Sequence, residues 1–159
     1  MDNAARIEAA AEAEPTVADA LRAGLSVLCA DSDWPLARLT WLDGHKTMQL
    51  WSVRSGLEPV RDAWVAAGAS ANWAPRVAAA GRPIAFAFEM ADVPREFAKH
   101  AQAAQVRYVL VFPLFDGEDV AGAVEVCCNE PCAFDGLRES LVRLGRLLGG
   151  IAERKKRAA

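Results

Sequence analysis

Two stretches of the chain alternate apolar and polar residues on either side of an Asp-Gly pair, the short-range pattern of a β-hairpin turning through positive φ. In the first, LARLTWLD is followed by Gly44-His45 and then by KTMQLWSV, with Asp43-Gly44 as the turn. A two-residue loop pairs Thr40 with Thr47 and Arg38 with Gln49, and leaves Ala37, Leu39, Met48 and Leu50 on the opposite face. The second stretch is RYVLVFPLFDGEDVAGAVEVCC, with Asp116-Gly117 at its turn. There Phe115 is expected opposite Glu118, Phe112 opposite Ala121, Leu110 opposite Ala123 and Tyr108 opposite Glu125, a register that a one-residue bulge would change. Side chains alternate across a strand. One face then carries Val109, Val111, Gly122, Val124 and Val126, and the other Tyr108, Leu110, Phe112, Ala121, Ala123, Glu125 and Cys127. Each hairpin has an apolar and a mixed face, which predicts one antiparallel sheet covered by helices on one side.

The helical pattern fills the remainder. Residues 3–13 are rich in Ala and Glu and have few apolar anchors. After Pro15, Thr16 reads as an N-cap with Asp19 in the first turn, and Val17, Leu21, Leu25 and Leu28 share one face of a helix ending near Asp31-Ser32-Asp33. A helix is expected within Leu57–Ala67, then loop formers Gly68, Ser70 and Asn72, of which Ser70 or Asn72 caps a short helix from Trp73 to Ala80 with Gly81 at its C′ position. A strand IAFAF follows Arg82-Pro83, and Pro94 opens the helix PREFAKHAQAAQ. Beyond the loop Asn129-Glu130-Pro131, Phe134, Leu137, Leu141, Leu144, Leu148 and Ile151 recur at spacings of three and four. This seam is narrower than the stripe of a helix that only covers a sheet, so it favours self-association. Gly145, Gly149 and Gly150 permit close approach to the sheet or another helix, and ERKKRA ends the helix with cations suited to its dipole.

At 159 residues, 53% hydrophobic and 25% charged, the chain has the make-up of one ordinary folded domain. A net charge of −3 makes nucleic acid an unexpected partner. The N-terminal MDNAARIEAAAEAEP has neither the basic nor the apolar region of a signal peptide, and no apolar run approaches the roughly 20 residues needed to cross a bilayer. A cytoplasmic location is expected, with no membrane partner and with Cys29, Cys127, Cys128 and Cys132 as reduced thiols.

The order of these elements resembles a GAF domain. DWPLARLTWLD is similar to the family's first strand, and PRVAAAGRPI looks like its helix-plus-strand signature. VRYVLVFPLFDGEDVAGAVEV resembles the closing hairpin, and LGRLLGGIAER the helix leading towards an output module. The resemblance implies an α+β, GAF/PAS-like fold. Its central antiparallel sheet of five or six strands carries the terminal helices on one face and an irregular helical roof on the other. On this reading residues 1–14 are a helical extension, 15–154 the GAF-like domain and 155–159 a basic tail. The family also implies a small-molecule pocket beneath the roof, a homodimer through the terminal helices and a signalling output module, which is not in this chain. Some expected features are missing. GASANWAPRV stands where many bacterial relatives have a glycine-rich loop, the Asn-Lys-Phe-Asp-Glu set of cyclic-nucleotide binders is not evident, and no Cys-His pair is present for a bilin. The middle of the domain also lacks the cysteines of the methionine-sulfoxide reductase branch.

The candidate ligand site starts from the mixed sheet face, Arg38, Thr40, Gln49, Tyr108, Glu125 and Cys127. A buried charge needs a partner, and Arg38 and Glu125 can supply one another's or a ligand's. With the roof that the resemblance implies, Trp73, Phe86, Phe88, Phe97 and His100 complete the lining, although aromatics in such places are more often plain core. Without a roof, the mixed face would simply be solvated. His100 is the one candidate for an axial haem ligand, and His45 sits at a turn. Cys127, Cys128 and Cys132 lack a fourth metal ligand, and neighbouring cysteines on a strand face opposite ways, so no metal or other cofactor is expected. No phosphate loop, H-E-x-x-H or G-x-S-x-G motif occurs, and the chain is not expected to be an enzyme. The expected function is a sensory domain that binds a small organic ligand and signals through its terminal helices, with Glu125→Ala weakening binding and sparing the fold. The alternatives are a ligand-free dimerisation or protein-interaction module and, behind it, a haem or redox sensor.

Overall fold

The polar and apolar alternation resolves into one sheet between two helical layers. The computed structural model describes residues 3–43, 45–130 and 134–158. Helices α1 (Ala4–Glu12) and α2 (Val17–Ser32) precede the first hairpin, β1 (Leu36–Asp43) and β2 (Lys46–Val53). Then come α3 (Glu58–Ala67), a 3-10 turn (Gly68–Ala71), α4 (Ala74–Ala80), β3 (Ile84–Ala87), a second 3-10 turn (Phe88–Met90) and α5 (Arg95–Ala103). The second hairpin, β4 (Tyr108–Asp116) and β5 (Asp119–Cys128), leads into α6 (Phe134–Ala158). The sheet is five-stranded and antiparallel, in the order β2-β1-β5-β4-β3.

Local chemistry sets several boundaries. Thr16 caps α2, its Oγ1 accepting from the Asp19 N–H at 3.1 Å. Asp33 closes the same helix in the left-handed region at φ 56°, and Gly81 closes α4 at φ 66°. The α4 N-terminus departs from expectation: Trp73 occupies the cap position, and neither Ser70 nor Asn72 caps it through a side chain.

Both hairpins close one residue later than the Asp-Gly pairs suggest. In the first, Asp43 pairs with Lys46, Thr40 with Gln49 and Arg38 with Trp51. That is a two-residue slide along β2, which leaves every side chain on its expected face. In the second, Asp116 pairs with Asp119 and Phe115 with Val120, but Leu114 pairs with Gly122. Ala121 is the extra residue of a β-bulge. One extra residue exchanges the faces of everything beyond it. Phe112 therefore faces Val124, and Tyr108 faces Cys128 rather than Glu125. Val124 and Val126 consequently join Leu110 and Phe112 on the helix-covered face, whereas Val109 and Val111 share the roof face with Ala123 and Cys127. The bulge sits where β5 draws close to β1: a Cβ on Gly122 would lie 2.1 Å from the Thr40 carbonyl oxygen.

One core lies between the sheet and the α1, α2 and α6 layer, built from Leu21, Leu25, Leu28, Leu39, Phe112, Leu114, Val124, Leu148 and Ile151. Ile7 of α1 is buried in it as well. The seam of α6 thus faces inward, with Leu141, Leu148 and Ile151 buried and Leu137 and Leu144 half-buried; Phe134's side chain lies outside the described residues. Gly145 and Gly149 let this helix lie directly on β4, since Cβ atoms there would stand 2.0 Å from the Pro113 carbonyl oxygen and 1.8 Å from that of Phe115. The second core lies under α3, α4 and α5 and contains Val60, Trp64, Trp73, Val77, Phe97 and Ala101.

Chemical denaturation checks the glycine contacts. Gly149→Ala is expected to cost about 3 kcal/mol, because helix and strand must move apart. Gly150→Ala, which would meet only the tip of Arg154, should instead stabilise by roughly 0.5–1 kcal/mol through helix propensity. Equal effects at the two positions would contradict the packing.

Candidate functional site

A row of directly paired residues crosses the middle of the roof face, Trp51 on β2, Arg38 on β1 and Glu125 on β5. Directly opposed residues on one face have Cβ atoms about 4.5–5.5 Å apart, so the pairing alone brings guanidinium and carboxylate within reach. The contact is bidentate: Arg38 Nε donates to Glu125 Oε1 at 2.8 Å and Nη2 to Oε2 at 3.1 Å. Both residues are buried, Arg38 at 4% exposure and Glu125 at 0%.

The roof closes over this pair and bonds to it. Arg38 Nη2 also donates to the Ala71 carbonyl at 3.1 Å, which accepts a second bond from Trp64 Nε1 at 2.8 Å. The backbone N–H of Trp73 donates to Glu125 Oε2 at 2.8 Å. The guanidinium carbon lies 4.7 Å from the Trp64 ring centre and 5.5 Å from that of Trp51, both within cation–π range. Around it the rings interlock. Trp51 meets Trp64 edge-on at 5.3 Å, Trp64 stacks on Phe97 at 5.9 Å, and Trp73 contacts Trp64 and Phe86, each at 5.6 Å. Phe88 packs edge-on to Phe97 at 5.2 Å. Arg38 thus occupies the cationic place in an aromatic box, with Glu125 as its counter-ion.

Of the residues expected at this site, the structure unites Arg38, Glu125, Trp73, Phe86, Phe88 and Phe97 beneath the roof. Cys127 shares the face, and burial pushes its thiol well above the ordinary range, with Cys128 and Glu125 adding to the rise. Thr40 is next to Arg38 on that face, its hydroxyl oxygen buried with no hydrogen-bond partner. Gln49 keeps its expected face but is exposed. Tyr108 is displaced to the helix-covered side by the Ala121 bulge. His100 is half-exposed with Nε2 3.2 Å from Glu96 Oε1, so its ring does not face the roofed interior where a haem would sit. Cys132 lies outside the described residues, and among these no cluster of His, Cys, Asp or Glu is placed to hold a metal ion. Trp64, Trp51 and the Ala71 carbonyl were not anticipated. Period-two spacing from Gln49 placed Trp51 on this face, and the four-residue step from Val60 marked Trp64 as core-facing.

This architecture is the GAF fold. No protein-family model and no curated protein matches the sequence. Solved structures do match by shape. The GAF domain of an Acinetobacter phosphoenolpyruvate-protein phosphotransferase is similar at 19% identity and a TM-score of 0.65, over 99% of this chain and 94% of that one. Free methionine-R-sulfoxide reductase from Neisseria meningitidis, in complex with its substrate, is similar at 15% identity and a TM-score of 0.66, covering 100% and 95%. A phycoerythrobilin-bound GAF domain from a cyanobacterial phytochrome is similar at 13% identity and a TM-score of 0.59, covering 98% and 95%. The likeness is one of fold. No helix among the described residues is long and apolar enough to cross a membrane.

Burial of Glu125 changes the expected effect of removing it. Glu125→Ala strands a desolvated guanidinium and should cost about 3–5 kcal/mol in a denaturant titration, so the fold is not spared. Arg38→Met combined with Glu125→Leu should recover a large part of that loss; a single variant as stable as the parent would contradict the pairing. The thiols give an independent check. Burial raises Cys29 to about 11 and Cys127 also upward, so both stay protonated at mildly alkaline pH. Peptide mass spectrometry after iodoacetamide treatment should find both unmodified until the protein is unfolded in urea.

Proposed function

We propose that this chain is a regulatory domain of the GAF type whose roofed face is a packed core with its ion pair satisfied within the chain, and whose output runs through the terminal-helix layer to a second copy. One observation carries the reading: the space above the sheet is filled by Trp64, Trp73 and Phe97, and both oxygens of Glu125 are bonded within the chain. A site already supplied with a cation, an aromatic box and backbone donors leaves its charges nothing to recruit. On the opposite layer, half-buried Leu137, Leu144 and Leu147 line a groove with Trp34, and that groove suits a partner helix. The domain acts here without catalysis.

A second reading has its own support. The unpartnered Thr40 hydroxyl lies beside the ion pair, and a buried donor without an acceptor costs free energy that an incoming ligand would recover. In this version the roof opens and a small organic ligand takes over bonds that Arg38 and Glu125 now make to each other. Two of the fold neighbours hold a small molecule, the bilin-bound domain and the substrate-bound reductase.

Native mass spectrometry of the purified protein separates the two readings. The expected species is a dimer of bare chains, reduced to monomer by Leu144→Glu with Leu147→Glu, with sedimentation velocity agreeing. A co-purifying small molecule, lost on replacing Thr40 by Val, would overturn the packed reading in favour of the liganded one.

A further inference from the structure

At the outer edge of the roofed core, the structure holds a second concavity that the packed reading leaves unused. A cleft of about 680 Å³ opens where the Phe88–Met90 turn and α5 meet the start of β4. That volume lies within the range of about 300–1,000 Å³ typical of small-molecule sites. Its floor is apolar, with Phe88 and Val106 nearly buried, and its rim carries Glu89, Gln102, Gln105 and Arg107.

The walls are held in place by backbone bonds that need no ligand. Phe88 N–H donates to the Arg107 carbonyl at 2.7 Å, and Arg107 N–H donates to that of Cys128 at 3.0 Å. Gln105 turns the chain out of α5 in the left-handed region at φ 61°. Asn129 Nδ2 fastens that turn by donating to the carbonyls of Ala104 at 3.2 Å and Gln105 at 3.0 Å. A cleft built on fixed backbone is pre-organised, so binding costs little ordering. Among the described residues, Glu89 and Arg107 form no ion pair, with each other or with any other side chain, although both line this one cleft.

We propose that this cleft binds an apolar α-amino acid, its carboxylate on the Arg107 guanidinium, its ammonium on Glu89 and its side chain on Phe88 and Val106. Two opposite charges that share a cavity without meeting define a zwitterion rather than a simple anion or cation. A guanidinium presents the paired donors that a carboxylate takes. The apolar floor selects against small polar amino acids, and Gln102 and Gln105 supply further hydrogen bonds at the rim. The site does not use the Arg38–Glu125 pair, although its floor residues Phe88 and Val106 belong to the same roofed core.

Heteronuclear NMR with phenylalanine as the probe tests this. Saturable shifts are expected at amides 88–90 and 102–107, with residues around Arg38 unmoved. N-acetylphenylalanine and phenylalaninamide, each lacking one of the charges, should bind at least about tenfold more weakly. Arg107→Ala and Glu89→Ala should each abolish the shifts, and since both side chains are exposed the thermal melts should match the parent's. Absence of shifts, shifts that survive both substitutions, or N-acetylphenylalanine binding as well as phenylalanine would each overturn the assignment. None of these outcomes bears on whether the roofed face is packed.

Discussion

The rest of the structure hangs on one buried ion pair. Arg38 and Glu125 are 87 residues apart in the chain and directly opposed across β1 and β5. Taking two charges out of water is expensive, and the interior repays it only where geometry is good and the remaining hydrogen-bonding groups are met. Here the bidentate contact, the Ala71 carbonyl, the Trp73 N–H and the faces of Trp51 and Trp64 meet those conditions together. The pair also constrains register. Sliding β1 by one residue against β5 would send Arg38 into the aliphatic helix-side core, where no partner awaits it. It therefore selects the one pairing of the two hairpins that joins their four strands into a single sheet.

The two layers are attached to that sheet by different means. On one side α6 rests on β4 backbone to backbone, through glycines with no room for a methyl group. On the other, α3, α4 and α5 are held by interlocking rings and by two hydrogen bonds to the ion pair, one from Arg38 to the Ala71 carbonyl and one from the Trp73 N–H to Glu125. A contact made by backbone transmits a displacement with little loss. One made by side chains can repack. This asymmetry is compatible with the output through the terminal helices proposed above.

The fold neighbours show how much chemistry one scaffold accommodates, since a substrate-bound reductase and a bilin-bound domain share it with this chain. Function follows what fills the space between sheet and roof and what lines the rims. Here tryptophans fill that space, and unpaired charges are found instead at the rim beside Arg107.

Much of this was readable in the residues themselves. Alternation located both hairpins, Thr16 and Gly81 marked helix ends, and the mixed composition of one sheet face singled out Arg38 and Glu125. Those features are local, set by side chains within a few positions of one another. The bulge at Ala121 was not readable, because nothing near it demands an extra residue. It follows from how closely β5 must approach β1 at Gly122, and it alone carries Tyr108 away from the site. Nor did the sequence reveal that Trp64 fills the space a ligand would need. An aromatic residue on a helix is marked as buried by its spacing, but which volume it occupies depends on where distant elements pack, and that is decided only when the whole chain has closed around the sheet.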